Sequence, residues 1–217
     1  MRARIEYTGA WMPSGARFDE DAGSRLASWV VDDNWDRYDD HVIVTPQMNN
    51  SISEPPILAA LAENVSWVSP RTDRRESWGC PVVAAWPTEE TLAYCVRRAT
   101  KSSLLVFEWG QAPSVRGWAS AVQAFDSQTG EPTPGLEPAL HEVFVALLYD
   151  DEYLREGAKK GPHRDLTQRR LGQLHAAGLD QDFIVTYCIA LGFSGDMPRL
   201  RQHCDAAGIR KIWDLTV

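Results

Sequence analysis

The chain has 217 residues, 44% of them hydrophobic and 24% charged, with a formal net charge of −8 at pH 7. That balance fits a globular protein with a sizeable core and excludes a disordered chain. The acidic excess argues against wholesale electrostatic capture by nucleic acid or anionic lipid, and no apolar run approaches the ~18 residues of a spanning helix.

From Met1 to Tyr7 the chain turns polar too soon for a secretory leader, so a cytoplasmic location is the expectation. Residues 4–7 suggest a first short strand, with residues 7–14 as loop. Leu26, Trp29 and Val30 recur at helical spacing and predict a helix over 22–31, ended by the acidic turn Asp32-Asp33-Asn34. The β-branched run at 41–45, stopped by Pro46, predicts a strand. Pro55-Pro56 opens a helix through Leu61, since proline is tolerated in the first turn, where backbone N–H groups lack intrahelical partners. A further strand is expected at 65–68.

Residues 81–109 give the clearest unit. Val82 to Trp86 and Leu104 to Phe107 are continuous apolar runs, as in strands buried on both faces. Between them, Thr88-Glu89-Glu90 starts a helix with a hydroxyl cap and first-turn carboxylates, and Leu92, Cys95, Val96 and Ala99 form its apolar stripe. The expectation is a βαβ unit of a parallel sheet. Residues 114–125 fit either a helix or a strand entering a tight turn at 126–130, with the helix favoured.

Eight of the nine tryptophans lie in the first 118 residues, and the texture changes at Gly130-Glu131-Pro132-Thr133-Pro134-Gly135. Beyond it, Leu140, Val143, Phe144, Leu147, Leu148 and Leu154 mark an amphipathic helix. Helices are then expected over 165–177, 181–191 and 197–207, each stopped by glycine, at Gly178, Gly192 and Gly208. Residues 209–213 read as a short strand or an extended tail. The fold class is therefore α/β: an N-terminal, mostly parallel sheet with flanking helices over 1–130, followed by a C-terminal helical bundle over 137–217.

Cys80, Cys95, Cys188 and Cys204 form no C-x-x-C pair and are expected to be reduced, mostly buried thiols. The motifs that fix a reaction are missing. Gly15 is followed by Ala16-Arg17 rather than the lysine and hydroxyl of a P-loop, and no G-x-G-x-x-G occurs. The five histidines contain no i, i+4 pair for zinc, the acidic run Asp32, Asp33, Asp36, Asp39 and Asp40 lacks the calcium-loop glycine, and Gly192-Phe193-Ser194-Gly195 is no nucleophile elbow. No cofactor and no metal site are expected.

Two candidate sites remain. In a parallel sheet, ligands meet the carboxyl ends of the strands. Those ends carry Gln47, Asn49, Arg71, Thr88, Glu89, Glu108 and Trp109. The second is the stretch 155–170, with six basic residues against two acidic ones, where Lys159, Lys160, Arg164 and Arg169 are candidates to bind an anion or acidic partner. The helix after it, Asp182 to Ile189, has no Arg, Lys, Asn or Gln to read a base edge, which disfavours nucleic acid as a partner.

The leading expectation is a soluble intracellular interaction or regulatory module that has no catalytic constellation, binds another protein and needs no membrane. One alternative is an enzyme binding a small ligand at the strand ends; the other is a nucleic-acid-binding protein using 155–170. An exposed tryptophan patch favours the first reading, a concave polar pocket the second and a basic groove the third.

Overall fold

The computed structural model describes residues 5–33, 35, 41–47, 55–63, 65–72, 79–110, 114–154, 162–193 and 196–210. Seven strands form one sheet: β1 Thr8–Met12, β2 Val42–Val44, β3 Ser66–Val68, β4 Val82–Ala85, β5 Ser103–Phe107, β6 Phe125–Asp126 and β7 Glu131–Pro132. Their spatial order is β3-β2-β4-β5-β1-β6-β7, and every pairing is parallel except the β6–β7 hairpin. Eight α-helices are found among the described residues, besides one 3-10 turn at Ser14–Ala16: α1 Glu20–Asp32, α2 Pro56–Leu61, α3 Glu89–Arg98, α4 Arg116–Val122, α5 Pro138–Leu154, α6 Pro162–Ala176, α7 Gln181–Ala190 and α8 Met197–Ala206. The α/β class expected from the sequence is the observed one.

The β4–α3–β5 unit is as anticipated. β4 and β5 are neighbours in parallel register, Val82 opposite Leu104 and Ala85 opposite Phe107, and both are buried along their full length. Thr88 caps α3 by accepting the Thr91 N–H, and the helix carries Glu89 and Glu90 in its first turn and Arg97 and Arg98 in its last. This charge order complements the helix dipole at both ends.

The first strand among the described residues is Thr8–Met12, and the stretch read as loop is its core; residues 5–7 of the expected strand precede it, and residue 4 lies outside the described residues. Thr-Gly-Ala-Trp-Met has little strand propensity, but tertiary packing overrides that weak signal. Ala10 and Met12 fill one face of the sheet and Trp11 the other. At Gly9 a Cβ would lie 2.8 Å from Val122 of α4, so only glycine lets the helix approach so closely. Residues 114–125 contain the favoured helix, which ends at Gln123 in the left-handed region (φ 50°), and the short hairpin β6–β7 follows.

The crossovers sort by face. α1 and α2 bury Leu26 and Leu58 against Met12, Ile43, Val83, Leu105 and Phe107. On the opposite face, α3, α4 and the C-terminal helices pack on Val42, Val44, Val82, Ala84, Leu104 and Val106. α7 is apolar on nearly every side and buried accordingly, packing on α3, α4, α5 and α8. Each of its fully buried large side chains contributes about 1.5–3 kcal/mol. The helical half of the sequence thus shares the core of the sheet. The segment 130–135 is tied down as well: Trp11 Nε1 donates to Thr133 Oγ1 at 3.0 Å, and Ser120 Oγ donates to the Pro134 carbonyl at 2.8 Å.

Gly178, Gly192 and Gly208 each follow a helix with φ between 78° and 94°, which is why glycine ends all three. α6 begins at Pro162, three residues ahead of the expected start. Of the tail at 209–213, residues 211–213 lie outside the described residues. Among the described residues no helix is long and apolar enough to cross a membrane.

Candidate functional site at the carboxyl edge of the sheet

The strand order creates a crevice. β2 leads through α2 to β3 on its outer side, whereas its neighbour β4 leads through α3 to β5 in the opposite direction and across the opposite face. The two connections diverge at the carboxyl ends of β2 and β4, which opens a gap between them among the described residues. This is the topological switch point at which open α/β sheets receive ligands.

A cleft of about 200 Å³ opens there, lined by Pro46, Gln47, Pro70, Arg71, Thr88, Glu90 and Thr91. Each strand supplies its part through a local device. After β2, the Thr45 hydroxyl donates to the Gln47 carbonyl at 2.8 Å and folds the chain around Pro46. After β3, Ser69 and Thr72 close a turn, with the Ser69 N–H donating to Thr72 Oγ1 and the Thr72 N–H to the Ser69 carbonyl, both at 3.0 Å. Pro70 and Arg71 therefore sit at the corner of that turn. After β4, Trp86 adopts the left-handed region (φ 55°), rare for a bulky side chain, while its N–H donates to the Phe107 carbonyl at 2.9 Å. The chain then reverses through Pro87 into the Thr88 cap, where the Thr88 and Thr91 hydroxyls are 3.0 Å apart.

Of the residues singled out from sequence, the fold brings Gln47, Arg71 and Thr88 into this cleft. Asn49 lies outside the described residues. Glu89 is engaged elsewhere: its carboxylate pairs with Arg201 of α8, which also binds Asp182 of α7 at 2.6 Å and the Gln181 side chain. Burial alone would lower the Arg201 pKa, but hydrogen bonds and charge from Glu89 and Asp182 outweigh it and hold the guanidinium more firmly protonated. Glu108 staples two loops, accepting the Ser14 N–H at 3.2 Å and the Val115 N–H at 3.1 Å. Trp109 meets Trp86 edge-on at 5.4 Å and lies under the Arg17 guanidinium at 4.2 Å.

Pro46, Pro70, Glu90 and Thr91 were not singled out from the sequence. The strand-stopping prolines and the Thr88 cap were the available signal: residues two and three positions past a cap share the helix turn that faces the strand ends. Of the basic set, Arg164 and Arg169 are exposed on α6, while Lys159 and Lys160 lie outside the described residues.

The cleft lining offers an amide, a guanidinium, a carboxylate and two hydroxyls beside two proline rings, a set suited to holding a polar molecule. Among the described residues that line it there is no histidine, cysteine or serine. Among the described residues no group of three His, Cys, Asp or Glu side chains is placed to hold a metal ion. A second, far smaller void of about 10 Å³ lies among the C-terminal helices between Leu147, Leu148, Thr167, Cys188, Phe193, Arg199, Leu200 and His203. Burial, with Arg199 and Arg164 nearby, pushes the His203 pKa down. Comparisons with protein-family models, curated proteins and solved structures gave no match.

Proposed function

We propose that this protein binds a small polar ligand in the crevice between the carboxyl ends of β2 and β4. The observation that carries this reading is the coincidence of a concave polar cleft with the sheet's switch point. A volume of about 200 Å³ is below the usual ~300–1,000 Å³ of small-molecule pockets, which favours a compact metabolite over a nucleotide.

The interaction-module reading has less support. Its mark would be an exposed tryptophan patch, whereas the large exposed hydrophobics among the described residues are Phe18, Val31 and Tyr149. Single exposed side chains of that kind need no special explanation. Recognition fits the cleft better than turnover, because among the described residues Glu90 is the single carboxylate in the lining and no nucleophile in the lining stands beside a base.

Two-dimensional ¹H–¹⁵N spectra of the full chain test the proposal, recorded with a panel of free amino acids, nucleosides, monosaccharides and their phosphates. The expected result is that one chemical class shifts the amides of Gln47, Arg71, Thr88, Glu90 and Thr91, and that Arg71→Ala weakens the response without changing the melting temperature. A panel that leaves these amides unmoved overturns the proposal.

A further inference from the structure

We propose that the ligand of this cleft is zwitterionic, a small free α-amino acid held by its carboxylate at Arg71 and its ammonium at Glu90. The inference rests on the cleft being a ligand site and adds the charge pattern of its occupant.

Arg71 and Glu90 bring opposite charges to one cleft from different elements, the turn after β3 and the first turn of α3. Among the described residues neither side chain has a hydrogen-bond or ion-pair partner, and the two do not pair with each other. This contrasts with Glu89 next door, whose charge is fully engaged by Arg201. The cleft therefore holds a separated plus and minus that a single small molecule can span.

The charge pattern sorts the candidate classes. A simple anion that satisfied Arg71 would also approach the Glu90 carboxylate, and a simple cation would meet the reverse conflict at Arg71. A neutral sugar would displace water from both charged ends without supplying a counter-charge. A molecule with both charges meets each end with its complement. Guanidinium takes a carboxylate by two parallel hydrogen bonds, and a carboxylate accepts the N–H groups of an ammonium. Gln47, Thr88 and Thr91 then offer further hydrogen bonds, while the rings of Pro46 and Pro70 give a short apolar side chain something to contact. The volume of about 200 Å³ suits an amino acid and is too tight for a dinucleotide.

The test titrates the full chain with alanine, serine and proline, and separately with propionate and ethylamine, which carry one charge each. At least one amino acid should shift the Thr88, Glu90 and Thr91 amides at least tenfold more tightly than propionate or ethylamine. Arg71→Gln and Glu90→Gln should each weaken that amino acid at least tenfold, and the Glu90→Gln protein should bind propionate about as well as the amino acid. Amino acids that bind no better than the singly charged analogues overturn the zwitterion. Binding of nucleosides or sugars at these amides, with amino acids inert, also overturns it while leaving the cleft as a ligand site. Silence from every compound overturns both.

Discussion

Gly117 of α4 lies directly against the Phe183 carbonyl of α7, so that a Cβ at position 117 would stand 2.0 Å from that oxygen and 2.7 Å from Thr186 Oγ1. The neighbour here is helix backbone, which has no rotamer to give. The crossing joins the helix over β1 to the most buried helix of the C-terminal half, so it fastens one half of the sequence to the other. Gly117→Ala should therefore destabilise by about 3 kcal/mol or more, despite alanine's higher helix propensity. Chemical denaturation measures this, and a variant as stable as the parent would mean that the helices do not approach this closely.

The same crossing shows why the sequence was legible in some places and opaque in others. The β4–α3–β5 unit reads directly because strand burial, helix capping and stripe periodicity all agree between Val82 and Phe107. β1 does not, because Gly9 is in the strand for the room it leaves to Trp118 and Val122, a tertiary reason that no local window carries. The cleft was half legible. A parallel sheet implies polar residues at its strand ends, which gave Gln47, Arg71 and Thr88. Which strands flank a switch point depends on spatial order, and that separates Thr88 after β4 from Glu108 and Trp109 after β5. Glu89 illustrates the limit: its partner Arg201 lies 112 residues away.

Arg201 holds two carboxylates at once, and Asp182 keeps only 6% of its side-chain surface exposed. Removing the guanidinium strands a buried negative charge, a larger penalty than the net value of the pair itself. Arg201→Met should cost about 3–5 kcal/mol. Combining it with Asp182→Asn should restore part of that loss, since the remaining group is neutral. Thermal melts of the two single variants and the double variant decide the matter, and strictly additive losses would show that the pair is uncoupled.

None of the four cysteines is in a disulfide; Cys95, Cys188 and Cys204 are buried, and Cys80 is half-buried. Burial pushes the Cys95 thiol well above its ordinary range, and raises that of Cys204 to about 12 even with Arg201 nearby. Thiolate is the reactive species, so both are protected by chemistry as well as by access. At pH 8 a thiol reagent should label one cysteine per chain quickly, Cys80, and the other three only as the protein unfolds. Mass spectrometry of the labelled peptides gives the order, and early modification of Cys95 or Cys204 would contradict the buried placement of α3 or α8.

His203 contributes a pH dependence with a definite sign. Burial, then Arg199 on its own helix and Arg164 on α6, lowers its pKa from the ordinary 6.5, and its buried Nε2 has no hydrogen-bond partner among the described residues. The folded state thus disfavours the imidazolium that the unfolded chain accepts freely. Well above pH 6.5 both states carry neutral imidazole and this residue adds no pH dependence. Below it the unfolded state binds more protons, so stability falls progressively as pH drops towards the lowered folded value. Removing the titration, as in His203→Gln, should flatten the melting-temperature profile between about pH 5 and 6.5 while leaving the plateau above it shifted by a constant amount. The difference between the two profiles isolates His203 from the other titrating groups. Parallel profiles through the whole range would mean that the imidazole charges as easily in the folded protein as in the unfolded chain.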